Sequence, residues 1–418
     1  YINAVRSPHQ RALFNMEELN AWSDRLAIGL THLDIRPGDR VLLFENNNLE
    51  QLFVQVACAK LGAVLIAPSA TQVKNTKALD RYIELYRPRL MILPQTSKKQ
   101  NKYVDMMLEL MPDIKRTGRM DALKSKKFPF LKRILVTSFQ YQDRDLLRVP
   151  YIEEIMVNRV VPGYYENPLR RISLKLNANS PALIMPVSDN FNKSKHVVYS
   201  HGNILNLGNT LKSKIGSGKD DRFGVAETPG SIFGLAGVWT GIVSRGTTVY
   251  LNDKWNTQAV LKQVALEAIT VLFATSKQVQ AMLDHRDASH YSFNALKCIV
   301  FDETATEDLI ATATKRFGLE KTLVIKGEHE FAGIREINGD LAPNLEIKVV
   351  NKQNKIVPHD TKGQVKVKGP TVSLGYWNDL GLMDEEYDAD RFFQLFRTGT
   401  IDAKGKLTLA EKTKKSEI

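Results

Sequence analysis

Apolar positions along the chain alternate between two rhythms. In "MEELNAWSDRLAIGLTHL" (16–33) they recur at helical spacing, and "DIRPGD" closes that helix with a turn. "RVLLFE" (40–45) is a short apolar run of buried-strand type. "NLEQLFVQVACAKLG" (48–62) returns to helical spacing and ends on a glycine. "AVLIAP", "KALDRYIELYRP" and "RLMILP" then read as strand, helix and strand. Strands alternating with helices at this pitch predict an α/β fold with a parallel sheet.

Residues 95–170 are less regular and richer in polar and basic residues, with "FPFLKRILVTS" restoring a strand. The rhythm resumes with "PALIMPVS" (strand), "SHGNILNLGNTLKSKI" (helix), "GTTVYL" (strand), "NTQAVLKQVALEA" (helix) and "ITVLFA" (strand). "SKQVQAMLDH" (helix), "LKCIVFD" (strand), "TEDLIATATKRFG" (helix) and "KTLVIKG" (strand) complete it. From about residue 336 the texture changes to short alternating strands with turn signals, as in "LEIKVVNKQNKIVPHDTKGQVKVKGP". The expected organisation is a first α/β lobe (1–175), a second (176–335), a small β module (336–410) and a hinge stub (411–418).

Composition adds four constraints. With 418 residues and 43% hydrophobic content the chain can bury a large core. No secretory signal or apolar run of bilayer length appears, so no transmembrane segment is expected; Tyr1 in place of Met points to a missing or processed N-terminus. Cys58 and Cys298 sit far apart in apolar segments and read as small buried core residues in a reducing compartment, and no Cys/His cluster has metal-ligand spacing. The formal charge of +12 is concentrated in runs such as "SKKQNK" (97–102), "KRTGR" (115–119), "KSKKFPFLKR" (124–133) and "KTKK" (412–415). Such a surface suits protein assembly partners, RNA or acidic lipid, although no RNA-binding signature with interleaved aromatics accompanies it.

Candidate chemistry centres on "PVSDNFNKSKHVVYSHGN" (186–203), where an apolar strand runs into small polar and basic residues and then a helix start. That is the layout of a phosphate-wrapping loop, yet it holds no glycine before Gly202.

Read in order, the elements resemble the adenylate-forming superfamily, the acyl-CoA synthetases and their relatives. The likeness runs through "RPGDRVLLFENNNLEQLFVQVACAKLGAVLIAP" and through "KGQVKVKGPTVSLGYWND" (362–379), similar to a Gly-Glu-x-x-x-x-Gly-Pro…Gly-Tyr-x-Asn segment. The stretch "KYVDMMLELMPDIKRTGRMDALKSKKFPFLKRILV" looks most like the medium-chain fatty acyl-CoA synthetase branch, which has mitochondrial members, so a mitochondrial matrix location is expected. The resemblance implies a large N-terminal domain of two α/β lobes and a small β-barrel module. It also implies a chemistry in which ATP and a carboxylate give an acyl-adenylate that coenzyme A then captures, with Mg²⁺ and hydrogen-bond donors spreading phosphate charge.

Set against the family's phosphate loop, Thr-Ser-Gly-Thr-Thr-Gly-x-Pro-Lys-Gly, residues 187–196 keep Ser188 and Lys195. The three glycines become Asp189, Asn192 and His196, and Phe191 adds bulk where a small hydroxyl is implied. A carboxylate at Asp189 repels a triphosphate by about 1 kcal/mol per charge pair at about 4 Å even in water. "IKGEHEFAG" (325–333), similar to Tyr-Gly-x-Thr-Glu-x-x-Gly, keeps Gly327, Glu330 and Gly333 but has Lys326 for the adenine-packing Tyr and His329 for Thr. Glu330 is the implied Mg²⁺ ligand. In "TPGSIFG" Ser231 takes the place of the acyl-pocket His. In "FRTGTID" Thr400 takes the place of the ribose-clamping Asp, Asp402 belongs to the next turn, and Lys412 stands where an Arg is implied. The residual nucleotide-site candidates are therefore Ser188, Lys195, Gly327 and Glu330, with no catalytic residue assigned.

Each retained residue also has a structural reading. Ser188 and Ser200 read as caps, His201 as a satisfied, partly buried histidine, Lys195 as a solvated surface lysine and Glu330 as the partner of a nearby lysine. Lys415 falls near the family hinge and the chain stops at Ile418, so the roughly 100-residue lid is expected to be absent from this chain, through truncation or loss. Segments that build the scaffold persist while segments that touch ligand do not. The expected function is a non-adenylating acyl-CoA synthetase-like scaffold or accessory subunit, with no cofactor. The alternative is a divergent ATP-dependent fatty acid–CoA ligase, using ATP, Mg²⁺ and CoA, whose lid lies beyond Ile418.

Overall fold

A computed structural model describes residues 3–44, 47–68, 73–94, 102–118, 120–137, 149–156, 168–186, 195–228, 230–252, 254–326, 336–337 and 340–410. The chain opens with the hairpin β1 (Asn3–Ser7) and β2 (Ala12–Asn15), which feeds α1 (Met16–His32). Asn15 and Glu18 form a reciprocal capping box at the start of α1, satisfying two otherwise orphaned donors. β3 (Arg40–Leu43), α2 (Leu49–Leu61), β4 (Val64–Ile66), α3 (Thr76–Tyr86), β5 (Leu90–Pro94), α4 (Lys102–Leu110) and β6 (Arg133–Thr137) follow. α5 (Ile152–Met156) and α6 (Pro168–Ser173) lead to the antiparallel pair β7 (Pro181–Pro186) and β8 (His196–Ser200).

Next come α7 (His201–Ile215), β9 (Arg222–Val225), α8 (Ile232–Ser244), β10 (Thr247–Tyr250), α9 (Thr257–Leu266), β11 (Val271–Phe273) and α10 (Ser276–Asp284). β12 (Cys298–Phe301), α11 (Glu307–Phe317) and β13 (Lys321–Lys326) complete the α/β part. The short strands β14 (Glu336–Ile337) and β15 (Asp340–Leu341) precede β16 (Glu346–Val350), β17 (Gly363–Lys368), β18 (Gly375–Tyr376), α12 (Leu380–Glu386), β19 (Phe393–Ile401) and β20 (Leu407–Leu409).

Three sheets result. One has the order β18-β8-β7-β4-β3-β5-β6, with β3 to β7 parallel and β8 and β18 antiparallel. A second has the order β15-β14-β13-β12-β11-β9-β10-β1-β2, parallel from β1 to β13 and antiparallel at both edges. The third, β16-β17-β19-β20, is wholly antiparallel. The two α/β sheets and the small β module expected from the sequence are present.

Their membership is not sequential. β1 and β2 cross over to the second sheet, and β7 and β8, which follow residue 176, join the first. β18, from the β-rich end of the chain, hydrogen-bonds to β8. The β7–β8 hairpin is therefore pinned from both sides, by β4 and by β18. One apolar core runs through all three sheets, from Leu26 and Phe53 past Phe223 and Phe273 to Val365 and Phe393. Cys58 and Cys298 are buried and unbridged, as expected. Burial pushes each thiol up to about 12, so neither carries the thiolate that metal binding or nucleophilic chemistry needs. Among the described residues no helix is long and apolar enough to cross a membrane.

Candidate nucleotide site

Parallel α/β sheets bind ligands outside the carboxyl ends of their strands, and β7, parallel to β4, ends at Pro186 on one such edge. Residues 187–194 lie outside the described residues, and with them Ser188, Asp189, Phe191 and Asn192; Gly327, His329, Glu330, Gly333, Lys412 and Lys415 also lie outside. Of the four nucleotide-site candidates only Lys195 falls on the described chain.

Lys195 is not a solvated surface lysine. Its Nζ lies 2.9 Å from both carboxylate oxygens of Glu386 and 3.4 Å from the Tyr376 hydroxyl, and sits 5.2 Å from the centre of the Tyr376 ring. The Glu386 side chain is 0% exposed and also accepts a hydrogen bond from the Tyr376 hydroxyl. A buried carboxylate needs a partner, and the ammonium supplies it. Glu386 is held at the end of α12, Tyr376 belongs to β18, and Tyr387 packs edge-on against Tyr376 while bonding Ser373 at 2.8 Å. The small module thus engages this lysine.

The next residue, His196, occupies a loop-glycine position of the family pattern. It lies in extended strand β8, where any residue fits. Its Nδ1 is 2.7 Å from the hydroxyl of Tyr86, the two rings meet edge to face at 5.4 Å, and the Trp377 amide donates to its carbonyl at 2.7 Å. Burial holds the imidazole down to about 4, with Asp379 pulling weakly the other way. His196 is a neutral wedge, not a phosphate-facing cation.

Ser200 caps α7 in a capping box with Asn203, as expected for a structural serine. Asn203 Nδ2 donates to the carbonyls of Pro370 and Val372 at 2.9 and 2.8 Å. That brace gives "KGPTVSLGYWND" a packing role. His201 departs from the satisfied histidine expected: its Nε2 is buried with no partner among the described residues, and burial lowers its basicity.

Ser231 caps α8, accepting from Gly234 N and donating to the Thr228 carbonyl, both at 3.0 Å. Thr400 lies in β19 opposite Thr408 of β20. Asp402 accepts from the Lys404 and Lys406 amides at 2.9 and 2.8 Å, closing the "DAKG" turn as the sequence predicts.

Sequence reasoning missed one group. Glu227 follows β9, Ser276 opens α10 after β11, and Asp302 follows β12. Gln278 donates to Glu227 at 2.5 Å, and Ser276 donates to Asp302 through its amide at 2.7 Å and its hydroxyl at 2.5 Å. Burial raises the Glu227 carboxyl, Gln278 offsets part of this, and Asp302 adds to the rise. The signal was available, since a polar residue directly after each apolar strand run ("GVAE", "IVFD") marks the ligand-facing edge of a parallel sheet.

The sequence profile of the AMP-binding enzyme family matches residues 3–377, and the chain belongs to that family. It is 22% identical over 421 residues to the rat "Medium-chain acyl-CoA ligase ACSF2, mitochondrial" (Rattus norvegicus), covering 95% of this chain and 66% of that protein. Against the zebrafish protein of the same name (Danio rerio) it is 25% identical over 398 residues, covering 91% and 64%. The chain thus spans about two-thirds of the length of these curated relatives. The fold matches the N-terminal domain of FACL13 from Mycobacterium tuberculosis with TM-score 0.77 at 16% identity, covering 98% of this chain and 96% of that one. It matches ATP-bound MatB from Rhodopseudomonas palustris with TM-score 0.72 at 19% identity, covering 98% and 75%.

Three described residues bear on the magnesium nucleotide that this family uses, while residues 187–194 and Glu330 lie outside the described residues. Lys195 is neutralised by Glu386, Thr400 has no carboxylate to grasp a ribose, and Asp402 is spent on its own turn.

Proposed function

We propose that this chain is an AMP-binding fold that no longer forms adenylates and serves as a scaffold or accessory subunit of a larger assembly. The observation that carries this reading is the pairing of Lys195 with the fully buried Glu386. Adenylate formation relies on fixed positive charge around the α-phosphate and the departing pyrophosphate. Drawing the lysine away from Glu386 would strand a buried carboxylate, at a cost of about 3–5 kcal/mol when such a pair is broken. Lys326, Ser231 and Thr400 in place of the adenine-packing Tyr, the acyl-pocket His and the ribose-clamping Asp support it. The names of the curated relatives support a mitochondrial location, which fractionation of cells making the natural full-length protein tests.

The experiment is ATP–pyrophosphate exchange on the full-length protein with a panel of medium-chain fatty acids, beside a melting-temperature titration with MgATP. No exchange above background and no shift are expected, since a ligand that binds the native state must raise its melting temperature. Exchange that disappears in Lys195→Ala overturns the reading and restores a fatty acid–CoA ligase. For the scaffold role, a stoichiometric partner should co-purify at moderate salt; a free monomer in native extract overturns it.

A further inference from the structure

Between α4 and β6, residues 112–133 carry eight basic and two acidic residues, a net +6 of the chain's +12. The second half of this segment is a closed loop. The Leu123 amide donates to the Lys132 carbonyl at 2.9 Å, bringing the ends of residues 123–132 together, and Leu131 bonds back to Phe128 at 3.1 Å. Leu123, Phe128 and Leu131 are buried in the core around Tyr82, Tyr86 and Met107, and Ser125 accepts from the Phe128 amide at 3.0 Å. With alternate side chains locked inward, Lys124, Lys126, Lys127 and Pro129 are all exposed. Lys127 pairs with Asp80 at 2.8 Å. Lys124, Lys126 and Lys132 make no ion pair among the described residues. Arg87, exposed at the end of α3, extends the patch, and Met120, 47% exposed, lies beside it. Compact loops whose ends meet and whose own side chains hold them rigid often carry function.

We infer that this loop is a docking face for an anionic phospholipid bilayer. Single-stranded RNA binding uses exposed rings on which bases stack. Here Phe128 is fully buried and the Arg87 guanidinium covers Phe130 at 4.6 Å from the ring centre. A stable protein interface needs an apolar, aromatic-rich centre of about 800 Å² per partner, and Met120 and Pro129 fall short of that. Lysines projecting from a rigid base match a field of phosphate headgroups, which requires no fixed geometry. The inference is independent of whether the chain adenylates.

The test is co-sedimentation of the full chain with vesicles of phosphatidylcholine alone and of phosphatidylcholine mixed with phosphatidylglycerol. Binding to the mixed vesicles only, weakening as salt is raised, is expected. A lysine near an anionic surface contributes about a five-fold factor in affinity. The triple variant Lys124→Glu, Lys126→Glu, Lys132→Glu, which reverses three charges, should therefore lose at least about a hundred-fold. The same charge change in the small β module, at exposed Lys352, Lys355 and Lys362, should leave binding within about two-fold. Should the triple variant fail to fold, Lys124→Gln with Lys126→Gln should still lose about twenty-fold. No binding to the mixed vesicles, equal loss in the β-module control, or displacement of bound protein from the vesicles by polyuridylate each overturns the inference.

Discussion

At Gly234 an added methyl group would lie 2.1 Å from the Thr228 carbonyl oxygen, whereas at His196, a glycine position in the family loop, a whole imidazole fits against Tyr86. The first glycine lets α8 begin tight against the segment that its own cap Ser231 bonds. Gly208 does similar work between α7 and α8, its missing Cβ facing the Trp239 carbonyl at 2.7 Å. Both glycines permit close packing between elements. At 196 the side chain itself does the packing, against the Tyr86 ring and hydroxyl.

The contrast breaks most sharply at Gly234. Gly234→Ala should cost at least about 3 kcal/mol in urea unfolding, since the contact is with backbone that cannot rotate away. His196→Gly should lose only about 1–2 kcal/mol, for one hydrogen bond and an edge-to-face ring contact. Equal losses at the two sites would erase the distinction.

Lys195 gives the next largest effect. Lys195→Met should cost about 2–3 kcal/mol, below the full cost of breaking a buried pair because the lysine side chain is 30% exposed. In a double-mutant cycle with Glu386→Gln, the two losses should fall short of additivity by at least about 1 kcal/mol. A lysine serving nucleotide instead would give a small stability loss, additive with Glu386→Gln, and a MgATP-dependent melting shift that vanishes in the variant.

Much of the fold was legible because apolar runs and helical spacing are local signals. The helices at 16–32 and 49–61 and the strands at 40–43, 64–66 and 90–94 lie where the pattern put them. What escaped was either too short or periodless. The hairpin β1–β2 has only five and four residues, and α8, "IFGLAGVWTGIVS", is apolar on every side, so no stripe betrays it. β8 was hidden by its neighbour, since the cap in "SHGN" drew the eye past "HVVYS". The site was legible only as substitutions. That Lys195 is taken by Glu386, 191 residues away, is a fact of tertiary pairing that no window of sequence contains.

Acid should sharpen the reading of His196. Its ordinary value is 6.5 and burial lowers it to about 4 in the fold. Between these the unfolded chain binds a proton that the native state does not. The contribution is thus fully present above about pH 6.5 and is lost as pH falls towards 4. Discounted for the ring's partial exposure, the loss should be about 1–2 kcal/mol. Unfolding free energies of the parent and His196→Gln measured across this window should converge as pH falls; a constant gap would mean that His196 carries no such linkage.

The smallest effect concerns the ribose position. Asp402 accepts two amide bonds from its own turn, so Asp402→Ala should cost about 0.5–1 kcal/mol and leave nucleotide behaviour untouched. Thr400→Asp restores the family carboxylate in β19, where Asp is a poor strand former and should cost a few tenths of a kcal/mol. By itself it should create no MgATP-dependent melting shift, because Lys195 remains engaged by Glu386. A shift with Thr400→Asp alone would mean that the missing carboxylate was the only defect of the crevice. A shift only when it is combined with Glu386→Gln would place the decisive change at the buried pair.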